Sequence, residues 1–172
     1  IEDGNVNGGG GIVHMAAADI FSYIENTQDR IFLVRASFIE IYNEDVRDLL
    51  GNNETLQIRE DPRRGVFVTA AEEIVTDYAG LLEILFGGEK NRSVASTNMN
   101  ERSSRSHTIF RITIESRCKH TPDDESDETI DTDDDAVRVS TLNLVDLAGS
   151  ESVRLTGATG DRQKEGGKIN QR

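Results

Sequence analysis

Val13, Ala16, Ala17, Ile20, Phe21 and Ile24 recur three and four positions apart, which puts them on one side of an α-helix and predicts a helix over residues 12–27. The glycines at 8–11 read as a flexible lead-in. The period then changes. Over residues 31–42 both alternations carry apolar, largely β-branched side chains, the pattern of a central strand covered on both faces. Val46, Leu49 and Leu50 suggest a short helical turn. Leu56 and Ile58, the turn Asp61–Pro62–Arg63–Arg64–Gly65, and Val66, Phe67 and Val68 predict a hairpin with two arginines at its tip. Thr76 is placed to cap a helix whose core stripe is Tyr78, Leu81, Leu82 and Leu85 and which frays at Gly87 and Gly88. A polar linker over residues 93–107 leads into a strand in which Phe110, Ile112 and Ile114 alternate with Arg111, Thr113 and Glu115, so that one face is buried. A second strand is predicted over residues 137–147. Helices and strands alternate in an α/β manner, without an internal repeat. The final Asn170–Gln171–Arg172 carries no helix terminator, and the chain is expected to be cut at both ends.

At 172 residues this is one domain's worth of chain, with 35% hydrophobic residues, 5% aromatics and no Trp, so the core is lean. The net charge of −13 argues against nonspecific nucleic-acid binding, which needs a dense basic face. That charge is unevenly placed. Residues 121–135 read TPDDESDETIDTDDD, nine acids in fifteen residues, and the remainder carries only −4. Such a segment buries too little surface to offset its ordering entropy and reads as a disordered acidic insert. Its Asp131, Asp133 and Asp135 do not form a calcium loop, because Ala136 and Leu142 stand where Gly and Glu are needed. No run approaches the roughly 18 apolar residues of a membrane helix, and no secretory signal precedes residue 12, so an intracellular, membrane-free protein is expected. The single Cys118 offers neither an internal disulfide nor a metal site.

Two stretches carry candidate chemistry. Leu142–Asn143–Leu144–Val145–Asp146–Leu147–Ala148–Gly149 is a strand ending in an acid followed by small residues. A carboxylate at the C-terminal edge of a buried strand is where α/β folds place ligand-facing groups. There Asp146 could hold a magnesium-bound water, and the amide of Gly149, with no Cβ in the way, could approach a phosphate. Equally, Asp146 could simply cap the next turn. Asn100–Glu101–Arg102–Ser103–Ser104–Arg105–Ser106–His107 groups three hydroxyls, two guanidiniums and an imidazole. Hydroxyls ligate magnesium or position water and arginine pairs with phosphate, although a plain serine-rich loop has the same composition. Two features argue against acyl transfer. Ser106 and His107 are neighbours that point to opposite sides, and Gly149–Ser150–Glu151 does not fit G-x-S-x-G. His14 and His120 read as structural. The phosphate cradle G-x-x-x-x-G-K-[ST] is absent, because Gly167–Lys168 is followed by Ile169 and Arg162 stands at the first glycine position. The two stretches could therefore sense a γ-phosphate without cradling it.

Together these stretches resemble the nucleotide switches of a kinesin motor domain: NERSSRSH (residues 100–107) is similar to switch I and DLAGSE (146–151) to switch II. The similarity extends to SFIEIYNEDVRDLL (37–50), HTIFRITIES (107–116) and TGATGDRQKEGGKIN (156–170). The wording IREDPRRGVFV, SSRSHTIFR and LNLVDLAGSE most resembles the centromere-associated subfamily. The resemblance implies a partial P-loop NTPase-like fold over residues 1–172, with about half of the family's central mixed β-sheet, flanking helices and the acidic insert. It implies ATP and Mg2+ as cofactors, with Asn100, Ser103, Ser104, Asp146 and Gly149 on the nucleotide. Ser104 would approach magnesium, Ser103 would position the lytic water, Asp146 would hold a magnesium-bound water and Gly149 would donate its amide to the γ-phosphate. Arg105 and Glu151 would form the ion pair that closes the switches. Lys164 and Lys168, on a helix facing the track, and Arg63 and Arg64, at the hairpin tip, would meet the acidic surface of tubulin, unless they are ordinary solvated charges.

The family pattern also places the P-loop and first strands before Ile1 and the rest of the microtubule-binding helix, the last strand and the neck linker after Arg172. Without them the strand over 137–147 would keep an open edge, prone to aggregation or dimerisation. Gln163 stands where the family usually has an apolar residue. The expected protein is thus part of an ATP-driven microtubule motor, cytoskeletal and possible at the spindle or kinetochore, a homodimer through a stalk outside this segment. By itself the segment should not hydrolyse ATP. The competing expectation is a nucleotide-independent microtubule- or partner-binding remnant.

Overall fold

The computed structural model describes residues 11–52, 54–63, 65–96, 105–119 and 136–149. In chain order the elements are α1 (Ile12–Asn26), β1 (Arg30–Tyr42), β2 (Asp45–Asp48), β3 (Thr55–Leu56), β4 (Ile58–Asp61), β5 (Gly65–Val68), β6 (Glu73–Val75), α2 (Tyr78–Ser96), β7 (His107–Cys118) and β8 (Arg138–Asp146). The acidic stretch 121–135 lies outside the described residues.

The long apolar strand predicted at 31–42 organises the sheet. β1 sits centrally in the order β3-β2-β1-β7-β8, and β6 joins the same edge as β2 through Val34↔Val75. Every pairing among the described residues is antiparallel. Antiparallel register stacks Phe38 beside Phe110 and Phe110 beside Leu144, so these side chains share one face. On that face Val34, Ala36, Phe38, Phe110 and Ile112 pack against Ala17 and Phe21 of α1 and Leu81 and Leu85 of α2. Phe38 and Phe110 meet edge-on, with ring centroids 5.3 Å apart. The expectation that β1 is covered on both faces holds only for its second half. Ser37 and Ile39 are buried on the face away from the helices, whereas Ile31 and Leu33 are exposed there.

Two local expectations are corrected. Val46, Leu49 and Leu50 do not form a helical turn: residues 45–48 are strand β2, hairpinned onto β1 with Tyr42 opposite Asp45. The cause is the two-residue turn Asn43–Glu44, where both residues have positive φ (49° and 74°), the mirror-image turn that matches the twist of paired strands. Asp48 then fixes the following loop, its Oδ1 accepting the amides of Leu50 and Gly51 at 3.0 Å and its Oδ2 that of Ala71 at 2.6 Å. The second helix also differs. It does not fray at Gly87 and Gly88 but runs to Ser96, into the stretch expected as linker. Gly88 lies against the sheet so closely that a Cβ there would fall 2.3 Å from Phe38 Cδ1, so packing outweighs the weak helix propensity of glycine.

The cap of α2 is Asp77 rather than Thr76. Its Oδ1 accepts the Gly80 amide at 2.8 Å, while the Thr76 hydroxyl donates to Oδ2 at 3.2 Å. The Gly80 amide, and after it the Thr76 hydroxyl, hold the Asp77 carboxyl below its ordinary value. A depressed carboxyl stabilises the fold above its unfolded pKa, and this contribution disappears as pH falls through the folded pKa. Asp77→Asn keeps an acceptor at the cap but cannot titrate. Thermal melting followed from neutral pH into the carboxylate range is expected to show a shallower acid-side decline for the variant than for the parent chain.

The hairpin predicted around residues 61–65 is β4–β5, with Asp61 opposite Gly65 and Gly65 at φ +72°. Leu56, however, pairs with Val46 in β3 and is not part of that hairpin. No helix among the described residues is long and apolar enough to cross a membrane. β8 occupies the sheet margin, where Val139 and Val145 are exposed and Leu144 packs against the core.

Candidate functional site

Because β7 and β8 run antiparallel, the start of one lies beside the end of the other. The pair Thr108↔Asp146 brings the exit of the serine- and arginine-rich stretch next to the acid that ends β8. The two candidate stretches therefore meet at one end of the sheet. Contact is direct: the Ala148 amide donates to His107 Nδ1 at 3.0 Å. Asp146 and Gly149 are exposed at this end, whereas Ala148 and Arg105 are half-buried.

Beneath this rim lies a buried polar group. Ser106 is fully buried and its Oγ accepts from Arg92 Nη2 at 3.1 Å. Arg92, on the last turns of α2, places its Nε 3.8 Å from Oε1 of Glu40, which is fully buried in β1. Arg92 Nη1 lies 3.8 Å from the half-buried Glu89. A fully buried carboxylate needs cationic or hydrogen-bonding partners, and the guanidinium that also holds Ser106 is one that stands near it. The root of the serine-rich stretch is thus tied to both the helix and the central strand.

A cleft of about 510 Å³ opens beside the rim, lined by Glu89, Thr108, Asn143 and Asp146 over an apolar floor that includes Val13 and Phe38. Among the described residues no group of three or more His, Cys, Asp and Glu side chains could form a metal cage. Magnesium fits such a site as an ion carried mainly by phosphates and water, with one exposed carboxylate as its protein anchor, and Asp146 matches that role.

Of the residues singled out in the sequence, Arg105, Asp146 and Gly149 lie at this end of the sheet, and Arg63 is exposed at the β4–β5 tip, its amide donating to Asp61 Oδ1 at 2.8 Å. Asn100, Ser103, Ser104, Glu151, Arg64, Lys164 and Lys168 lie outside the described residues. Sequence reasoning passed over Glu40, Arg92 and the acceptor role of His107. One signal was present, an acid near the end of the apolar run 31–42, which a central strand cannot bury alone.

The model of the kinesin motor domain family matches residues 3–172. The chain belongs to the kinesin motor domain family. It is 51% identical over 162 residues to Kinesin-like protein KIN-7N of Arabidopsis thaliana, covering 93% of this chain and 18% of that protein. It is 46% identical over 164 residues to Centromere-associated protein E of Homo sapiens, covering 93% of this chain and 6% of that one. The kinesin thus spans less than a fifth of these relatives, and its likeness to the centromere-associated subfamily stands beside a likeness to plant KIN-7 proteins.

Solved kinesins share the fold. The structure of a fast kinesin superposes with a TM-score of 0.76 at 37% identity, over 94% of this chain and 43% of that chain. A KIF14 dimer in its two-heads-bound state, with AMP-PNP and in complex with a microtubule, gives 0.70 at 32% identity, over 92% and 44%. The described sheet and its two helices are accordingly part of the α/β kinesin motor fold.

Proposed function

We propose that this kinesin segment supplies switch I and switch II, with part of the track-binding surface, to an ATP-dependent microtubule motor. The observation that carries the proposal is the meeting of the two candidate stretches at one sheet end, joined by the Ala148 to His107 hydrogen bond. Membership in the kinesin family and the AMP-PNP- and microtubule-bound KIF14 relative support it.

Each residue then has a task. The Gly149 amide donates to the γ-phosphate, Ser103 orients the attacking water, and Arg105 with Glu151 draws the two switches together around it. Ser104 and, through a water molecule, Asp146 would hold magnesium, and Asn100 would face the nucleotide. Magnesium, when bound, neutralises charge on the transferred phosphoryl group. Closure aligns water and excludes bulk solvent, and loss of the γ-phosphate releases the loops. The segment has no G-x-x-x-x-G-K-[ST] of its own, so in isolation it turns over no ATP. Homodimerisation belongs to stalk sequence outside these residues, and the likeness to Centromere-associated protein E makes the spindle or kinetochore a natural location.

The track-facing bases are Arg63, Arg64, Lys164 and Lys168. Tubulin's acidic surface would attract them, which accounts for bases kept at these positions on a chain of net charge −13. In microtubule pelleting, Arg63→Ala/Arg64→Ala and Lys164→Ala/Lys168→Ala are each expected to weaken binding about two- to thirtyfold, as two exposed charge contacts of about 0.2–1 kcal/mol would give. Unchanged binding in both double variants would show that these four bases are not the contacts.

A further inference from the structure

We propose that His107 is a positioning residue for the nucleotide response, holding the Ala148 amide through Nδ1 and so setting the backbone that aims the next amide, that of Gly149. The inference rests on the switch assignment above and adds a residue to it.

Three observations converge on this histidine. The donor at 3.0 Å is a backbone N–H, so Nδ1 must be the acceptor and the ring proton must sit on Nε2. The Nε2 atom is buried and has no hydrogen-bond partner among the described residues, so the ring's one polar attachment there is the bond to Ala148. The residue before it, Ser106, is fully buried and fastened to Arg92, which stands against the fully buried Glu40. His107 is therefore an arm extending from a fixed base. A rigid acceptor on such an arm restricts the peptide just before Gly149, and preorganised donors of this kind require well-supported backbone.

A histidine that only filled space would behave differently from one that accepts through Nδ1. Asparagine places its Oδ1 close to the position of Nδ1 and can take the Ala148 amide. Glutamine carries its oxygen one methylene further, near the position of Nε2, and cannot take that amide without moving. Volume alone would rank glutamine as the better replacement.

The test uses the complete motor protein that contains this segment, comparing wild type, His107→Asn, His107→Gln and His107→Ala. Microtubule-stimulated kcat is expected to fall about 10- to 100-fold in His107→Ala and His107→Gln, the scale for losing a supporting partner, and to recover substantially in His107→Asn. Amide exchange at Ala148 should be protected in wild type and His107→Asn and accelerated in the other two. With 15N-labelled histidine, the wild-type imidazole should carry its proton on Nε2. A proton on Nδ1, equal Ala148 exchange in all four proteins, or a glutamine variant that outperforms asparagine would overturn the inference while leaving a working motor. A wild-type motor without ATP turnover would overturn the switch assignment and the inference with it.

Discussion

In the complete motor, Gly149→Ala is expected to lower microtubule-stimulated ATP turnover by about 10²–10³-fold, the usual cost of losing one preorganised donor to a charge that develops during reaction. Gly149 is exposed just beyond β8, one residue after the amide held by His107. Its use depends on close approach of backbone to phosphate, which a Cβ obstructs. ADP offers no γ-phosphate, so ADP affinity should change little while the response to ATP is lost. Near-normal turnover in the alanine variant would remove Gly149 from the proposed machinery.

The second large effect concerns stability. Arg92→Ala leaves the fully buried Glu40 without its guanidinium and Ser106 without its donor. Removing one partner of a buried ion pair typically costs about 3–5 kcal/mol, against about 0–1 kcal/mol for an exposed pair. The side chain of Arg92 is only 12% exposed and that of Glu40 is 0% exposed, but the facing atoms stand 3.8 Å apart without a hydrogen bond and Glu40 has other contacts, so a loss of about 1–3 kcal/mol is expected. Urea unfolding is expected to show that loss for Arg92→Ala. Replacing both charges by apolar residues of similar volume, Glu40→Leu/Arg92→Met, should recover much of it. A loss below about 1 kcal/mol for the single variant would mean that the pair behaves as a solvated one.

The elements with strong periodicity were legible. The helical spacing of Val13 to Ile24 became α1, and the apolar run from Ile31 became β1 with its start one residue earlier. The alternation around Phe110 to Ile114 became β7, and the strand expected at 137–147 became β8. Illegible features had causes outside any short window. Val46, Leu49 and Leu50 have helix-like spacing, but the left-handed Asn43–Glu44 pair turns the chain back into a hairpin. Gly87 and Gly88 read as a helix end until Phe38 is seen to occupy the space beside Gly88.

The candidate site divides in the same way. The position of Asp146 at the end of β8 was visible because an acid closes an apolar, strand-like run. The supporting contacts were not, since Arg92 reaches Ser106 across 14 residues and Ala148 reaches His107 across 41. Periodicity carries no information about such pairs. Only the isolated acid Glu40 within an apolar strand hinted that a buried cation must come from elsewhere.

The central claim is that these residues couple ATP to a microtubule track, and the most direct measurement is ATP turnover by the natural protein containing them, purified from its source cells, with and without microtubules. Magnesium-dependent hydrolysis that rises when microtubules are added is the expected result. Microtubule binding that is indifferent to nucleotide, with no hydrolysis under either condition, would contradict the claim and favour a binding remnant.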